Sequence, residues 1–90
     1  MLFRSALDES WVLLQGRIDC LFRDEDGWTI IDWKTDRVTA ASAPRRALAY
    51  AGQMGLYREA VQKLWGGPAR AFLVFVRAGI VIEAGGPEDR

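Results

Sequence analysis

The sequence predicts one small α/β domain built on a mixed sheet, with elements in the order β-β-β-α-β-β. Three observations carry this. Residues 11–22 and Trp28–Lys34 are β-rich stretches flanking the turn-forming Asp24-Glu25-Asp26-Gly27, which reads as an antiparallel hairpin. A helical pattern then runs from Pro44 to Trp65, and two short apolar runs, 71–76 and 80–83, follow it. Strands joined by a helix tend to pair parallel and strands joined by a tight turn pair antiparallel, so the sheet mixes both.

Each element has its own signal. Leu2–Leu7 is a short apolar segment closed by Asp8-Glu9-Ser10, predicted as a strand. Gly16 interrupts the second stretch and indicates a bulge or a close backbone approach. Residues 35–43 form a polar, small-residue loop. Pro44 suits the first helical position, with Ser42 as cap. Tyr50, Met54, Tyr57, Val61 and Leu64 recur at helical spacing and define the buried face. Gly66-Gly67-Pro68 stops the helix, and Ala78-Gly79 turns the chain between the last two strands. Trp11, Trp28, Trp33 and Trp65 are assigned to the core, where tryptophan supplies much of the buried area of a small domain. The expected domain covers residues 1–84, with 85–90 a frayed tail.

Composition narrows the chemistry. With 50% hydrophobic and 27% charged residues the chain is not a disordered segment. No apolar run approaches the roughly 20 residues of a membrane-spanning helix. The lone Cys20 excludes an internal disulfide and an iron–sulfur cluster held by four cysteines of this chain, and suggests a cytoplasmic protein. The absence of histidine excludes a Ser-His-Asp triad and His-ligated zinc within the chain. Catalysis would fall to carboxylates, Lys34 and Lys63, arginines or hydroxyls. The net charge is zero, which argues against a wholesale electrostatic grip on nucleic acid. Locally, however, residues 34–46 carry four cations (Lys34, Arg37, Arg45 and Arg46) against the single anion Asp36.

The hairpin register is the informative feature. A turn centred between Glu25 and Asp26 pairs residues whose numbers sum to 51, so Leu21 opposes Ile30, Asp19 opposes Asp32 and Arg17 opposes Lys34. Directly opposed side chains have Cβ atoms about 4.5–5.5 Å apart, and like charges there repel. A divalent cation would relieve that repulsion, and magnesium is commonly held by one or two carboxylates plus water and phosphate. Lys34, two residues beyond Asp32, points to the same face, where an ammonium orients water or stabilises phosphate charge. An ion pair on a wet sheet face accounts for the same residues, and spacing alone does not choose between the two. Gln53 and Tyr57 share a helical face and offer an amide and a phenol, although Tyr57 also belongs to the apolar stripe.

Taken together, Gly16-Arg17-Ile18-Asp19, Asp32-Trp33-Lys34-Thr35-Asp36 and Gln53-x-x-x-Tyr57 resemble the RecB-type nucleases of the PD-(D/E)XK superfamily. The likeness is nearest to the C-terminal nuclease domain of the AddA subunit of bacterial helicase–nucleases, whose pattern reads G-x-I-D, D-Y-K-T-D and Q-x-x-x-Y. Trp33 stands where that pattern has tyrosine. The resemblance implies a restriction-endonuclease-like fold and a Mg²⁺-dependent deoxyribonuclease, with Mn²⁺ as a substitute, acting in DNA end processing, recombination and repair. It implies that Asp19 and Asp32 bind metal together with the Trp33 carbonyl, and that Lys34 is catalytic. Gln53 and Tyr57 would support the site and contact DNA, alongside Arg37, Arg45 and Arg46.

The family also carries a metal-binding histidine on a helix ahead of the first strand, which this sequence does not show. The expectation is therefore a core lacking that helix, a fragment of a larger protein, or a chain completed by another segment or partner, with a homodimer expected if it stands alone. No Walker A motif is present, so no nucleotide site is expected and any helicase region would lie elsewhere. The alternative is an inactive remnant that binds DNA or a protein partner.

Overall fold

The computed structural model describes residues 18–84 in full and, by backbone alone, residues 2–4 and 11–13. Strands β1 (Leu2–Arg4) and β2 (Trp11–Leu13) form a separate antiparallel pair, Leu2 opposite Leu13. The main sheet has the order β3-β4-β5-β6, built from Cys20–Asp24, Gly27–Lys34, Ala69–Phe75 and Ile80–Ala84. Its single helix, α1 (Ala43–Trp65), connects β4 to β5, which pair parallel, while β3–β4 and β5–β6 are antiparallel hairpins. The mixed α/β architecture is thus the predicted one.

The predicted strand 11–22 is two elements. Trp11–Leu13 pairs with β1 and Cys20–Asp24 with β4, so the backbone changes sheets between them. Ile18 and Asp19 lie outside any strand. Gly16, Arg17 and residues 5–7 fall outside the described residues, as does the tail 85–90, and the bulge expected at Gly16 is among them.

The β3–β4 hairpin keeps the predicted register, with Leu21 opposite Ile30 and Arg23 opposite Trp28. Glu25 and Asp26 form the turn, and the Asp26 N–H donates to Asp24 Oδ1 at 2.8 Å, an aspartate side chain standing in for a backbone turn acceptor. Gly27 is required on two counts. Its φ is 122°, and a Cβ there would lie 2.5 Å from the Pro68 carbonyl oxygen. That close approach lets the Trp28 N–H donate to the same carbonyl at 2.9 Å, starting the β4–β5 ladder.

Alternation along the strands decides what lies beneath α1. Ile30, Ala71, Leu73 and Phe75 face it and are buried with Met54, Tyr57 and Val61. The helix meets the sheet through Ala43, Ala47 and Ala60, whose small side chains allow close packing. The predicted stripe is correct at Met54, Tyr57 and Val61, but Tyr50 is only half-buried and Leu64 is exposed. A pattern drawn from large residues misses the alanine line about which the helix settles. Ser42 sits at the predicted cap position without capping: Pro44 is the second helical residue and offers no N–H, and the Ser42 hydroxyl accepts instead from the Thr39 N–H at 2.9 Å.

Of the tryptophans, Trp28 packs against the core as expected, and Trp33 and Trp65 do not. Trp28 is half-buried, its ring 5.7 Å from that of Trp65 and its indole N–H donating to the Gly66 carbonyl at 3.0 Å. Trp33 and Trp65 are 50% and 52% exposed, so neither is a core residue. Trp33 has odd parity on β4 and therefore faces away from α1, on an outer sheet face where Phe22 and Val81 are also exposed. The Trp11 side chain lies outside the described residues.

Candidate functional site

The site forms where β3 stops and β4 continues. The last backbone pair of the hairpin is Cys20 with Ile31. One residue further, Asp19 has left the strand, and its Oδ2 accepts the Trp33 N–H at 3.1 Å. A side-chain carboxylate thus takes the place of the next ladder acceptor, which holds Asp19 beside Asp32 as the register predicts. The bond from the Val76 N–H to the Lys34 carbonyl shows that even residues of β4 face β5. Alternation therefore turns the Trp33 N–H and carbonyl towards β3, the side on which Asp19 lies.

Asp32 is the one buried charged residue among those described. Its Oδ2 lies 2.8 Å from Lys34 Nζ, with side-chain exposures of only 8% and 18%. Burial raises the Asp32 pKa above the ordinary aspartate value and contact with the Asp19 carboxylate raises it further; Lys34 opposes both and does not reverse them. Burial alone would lower the Lys34 pKa, but the bond to Asp32 and its charge more than offset this, so the ammonium is held more firmly protonated than usual. The Lys34 nitrogen also sits 4.0 Å from the centroid of the Tyr50 ring. Tyr50 O–H donates to Asp36 Oδ2 at 2.7 Å, and Arg46 Nε lies 3.3 Å from the same oxygen.

The other residues singled out from the sequence distribute unevenly. Gln53 is exposed on α1. Tyr57 is 2% exposed and supports α1 from within, as its place in the apolar stripe implies. Arg37, Arg45 and Arg46 line one hollow of about 470 Å³ with Val38, Ser42 and Ala49, at the start of α1. Asp36 belongs to a motif and Tyr50 to the apolar stripe, but sequence reasoning places neither side chain in the site. Asp36 shares the parity of Asp32 and Lys34, a signal that was present, whereas the Tyr50 contact depends on how α1 crosses the sheet.

Among the described residues no group of three or more His, Cys, Asp or Glu side chains gathers in a way that could hold a metal. The donors present are two carboxylates in contact and a backbone carbonyl turned to their side, all hard oxygens. That set suits magnesium, which keeps several waters, and not a thiolate- or imidazole-binding ion. The raised Asp32 pKa comes first from burial of its carboxyl and second from the Asp19 carboxylate bonded beside it, with Lys34 opposing both.

A mixed sheet crossed by one helix, with a carboxylate and a lysine two apart on a central strand, defines the restriction-endonuclease-like class. Comparison with known proteins gives the particular family. The chain belongs to the PD-(D/E)XK nuclease superfamily, whose model matches residues 2–90. It is similar to an ATP-dependent helicase/nuclease subunit of Anoxybacillus flavithermus, 50% identical over 56 residues, and to its namesake in Geobacillus kaustophilus, 40% identical over 79 residues. These alignments cover 60% and 79% of the chain, but only 5% and 6% of the relatives. The Oceanobacillus iheyensis protein of the same name is 38% identical over 77 residues, again 6% of its length. The likeness found in the motifs is therefore a RecB-type, AddA-like one. Among the described residues no helix is long and apolar enough to cross a membrane.

Proposed function

We propose that the chain is the catalytic core of a deoxyribonuclease that hydrolyses DNA phosphodiesters with Mg²⁺, or with Mn²⁺ in its place. The observation that carries this reading is the contact of Asp19 with Asp32, with Lys34 bonded to the buried member of the pair. Asp19, Asp32 and the Trp33 carbonyl would hold the ion, which when bound lowers the pKa of a water ligand and polarises a phosphoryl oxygen. Lys34 gives one N–H to Asp32. Its other two are available to orient an attacking water or to hold a non-bridging phosphate oxygen as charge develops there. Asp32 is buried and Asp19 exposed, so substrate approaches from the Asp19 side. Arg37 and Arg45 are exposed near the start of α1 and would position the DNA backbone without reading its bases, with Arg46 shared between that role and Asp36. Gln53 contacts DNA from the helix surface, and Tyr57 supports it from the core.

The relatives' names support a reading in which this core works within a helicase–nuclease, the helicase region lying in another part of that machine; the motif resemblance extends this reading to DNA end processing in recombination and repair in the cytoplasm. The outer sheet face, with Phe22, Trp33 and Val81 exposed, suits contact with such a region or with a second copy. A second reading, an inactive remnant that binds DNA or a protein, draws on the two-carboxylate donor set and the absence of histidine.

Degradation of linear duplex DNA separates them. The first reading expects cleavage in Mg²⁺ or Mn²⁺, abolished by EDTA, and a loss of about 10²–10³-fold in Lys34→Ala. DNA binding without cleavage in either metal would establish the second.

A further inference from the structure

Lys34 carries a flexible four-carbon stem, and one ion pair fixes the distance of its ammonium from Asp32 without fixing its direction. We propose that Tyr50 is a positioning residue for Lys34, with Asp36 as the latch that holds it. The ring face is the platform that aims the ammonium at the carboxylate pair. This inference deepens the nuclease reading above and rests on it.

The geometry is unusual for a tyrosine of the apolar stripe. Met54, Tyr57 and Val61 are buried to 2% exposure or less, whereas Tyr50 is only half-buried and packs against the edge of their cluster rather than within it. Its ring instead lies beneath the Lys34 nitrogen at 4.0 Å, well inside the roughly 6 Å at which a cation is attracted to an aromatic face. The far end of the ring is tied down by the 2.7 Å bond from its hydroxyl to Asp36. A phenol donating to a carboxylate gains electron density, which strengthens the pull of its face on a cation. Asp36 is held in turn by Arg46, one helical turn before Tyr50 on α1. Lys34 ends β4, Asp36 is the second residue of the loop after it, and both Tyr50 and Arg46 come from α1. The latch therefore couples the strand that carries the site to the helix that covers it. When the Asp32 oxygens are engaged elsewhere, the ring still restrains Lys34. Misplacement of a reacting group by a fraction of an ångström to one ångström carries a large cost in rate, which gives such a restraint its value.

The test uses the 90-residue chain and the variants Tyr50→Phe, Tyr50→Leu, Asp36→Asn and Lys34→Ala. The first readout is the proton resonance of the Lys34 ε-methylene, which needs neither metal nor turnover. A ring beneath it moves that resonance upfield in the parent and in Tyr50→Phe, and Tyr50→Leu returns it to the ordinary lysine value. The second readout is cleavage of linear DNA in Mg²⁺. Tyr50→Leu lowers the maximal rate about tenfold with half-saturating DNA unchanged, and Tyr50→Phe recovers most of the loss. Asp36→Asn falls between them, and it keeps the inference testable if Tyr50→Leu does not fold. An unshifted Lys34 methylene in the parent overturns the inference, and so does a methylene shift that survives Tyr50→Leu. The same holds for a rate loss that appears only in half-saturation. The two failures are distinguishable. A parent that cleaves no DNA, or a Lys34→Ala variant as active as the parent, removes the nuclease role of Lys34 and this inference with it. An inactive Lys34→Ala beside a fully active Tyr50→Leu leaves the nuclease reading standing and removes Tyr50 alone.

Discussion

The two ends of β4 are built to opposite rules. At the Trp28–Ile31 end the strand is paired on both sides, with β3 and β5, and Ile30 is completely buried under α1. At the Asp32–Lys34 end the β3 ladder has stopped, β5 alone continues, and a carboxylate side chain takes the missing acceptor position. The same face of the strand that presents Ile30 to the core presents Asp32 and Lys34 two and four residues later. This fold tolerates charge where the neighbouring ladder ends. Asp32 is buried and bonded to Lys34, and it sits where one neighbouring strand has withdrawn. Stability is concentrated at one end of a single strand, and chemistry at the other.

Substitutions at the paired end should have the largest effects. Ile30→Ala leaves a cavity beneath α1 and is expected to cost about 2–5 kcal/mol in denaturant unfolding. A cost below about 1 kcal/mol would mean that α1 does not pack there as described. Gly27→Ala comes next, at roughly 2–4 kcal/mol, because its Cβ would collide with the Pro68 carbonyl and φ is positive. Since Pro68 precedes β5, the same variant should loosen the β4–β5 pairing, read as faster amide exchange at Trp28.

At the charged end the sign should reverse. Asp19→Asn keeps an acceptor for the Trp33 N–H and leaves the Asp32–Lys34 pair intact, while removing the second negative charge. It is expected to raise the melting temperature of the metal-free protein by a few degrees. A melting temperature that falls would show that Asp19 contributes more as a charge near Lys34 than it costs beside Asp32.

The smallest effect belongs to the outer face. There Glu83 accepts two bonds from Arg70, at 2.9 and 3.0 Å, and these hold its pKa below the ordinary glutamate value against a modest opposing effect of burial. The stability this pair lends is present above the ordinary glutamate pKa and is lost as pH falls through the lowered value. With Arg70 largely exposed the contribution is small. Glu83→Gln should therefore flatten the acid limb of the stability profile slightly and leave neutral pH nearly unchanged.

The same contrast governs what the sequence makes legible. The paired end is local: turn composition sets the register, the register places Asp19 beside Asp32, and parity adds Lys34 to their face. The mixed sheet follows from a helix between two strands. What resists reading is set by non-local packing. Nothing in the run from Trp11 to Phe22 announces that its two ends join different sheets. Trp33 and Trp65 look like core residues because tryptophan usually is one, yet parity puts Trp33 on the outer face and Trp65 ends its helix near the surface. Tyr50 is indistinguishable from its apolar neighbours until the helix is laid across the sheet and the ring meets Lys34.

The most direct test of the metal site is a Mg²⁺ titration followed by thermal melting of the parent and of Asp32→Asn. If Asp19 and Asp32 hold an ion together, the parent should gain about 2.7 kcal/mol of stability at an ion concentration near 100 times Kd, and Asp32→Asn should gain none. A parent whose melting temperature is indifferent to Mg²⁺ and Mn²⁺ would contradict this, and would leave Asp32 and Lys34 as an ion pair at the end of a strand.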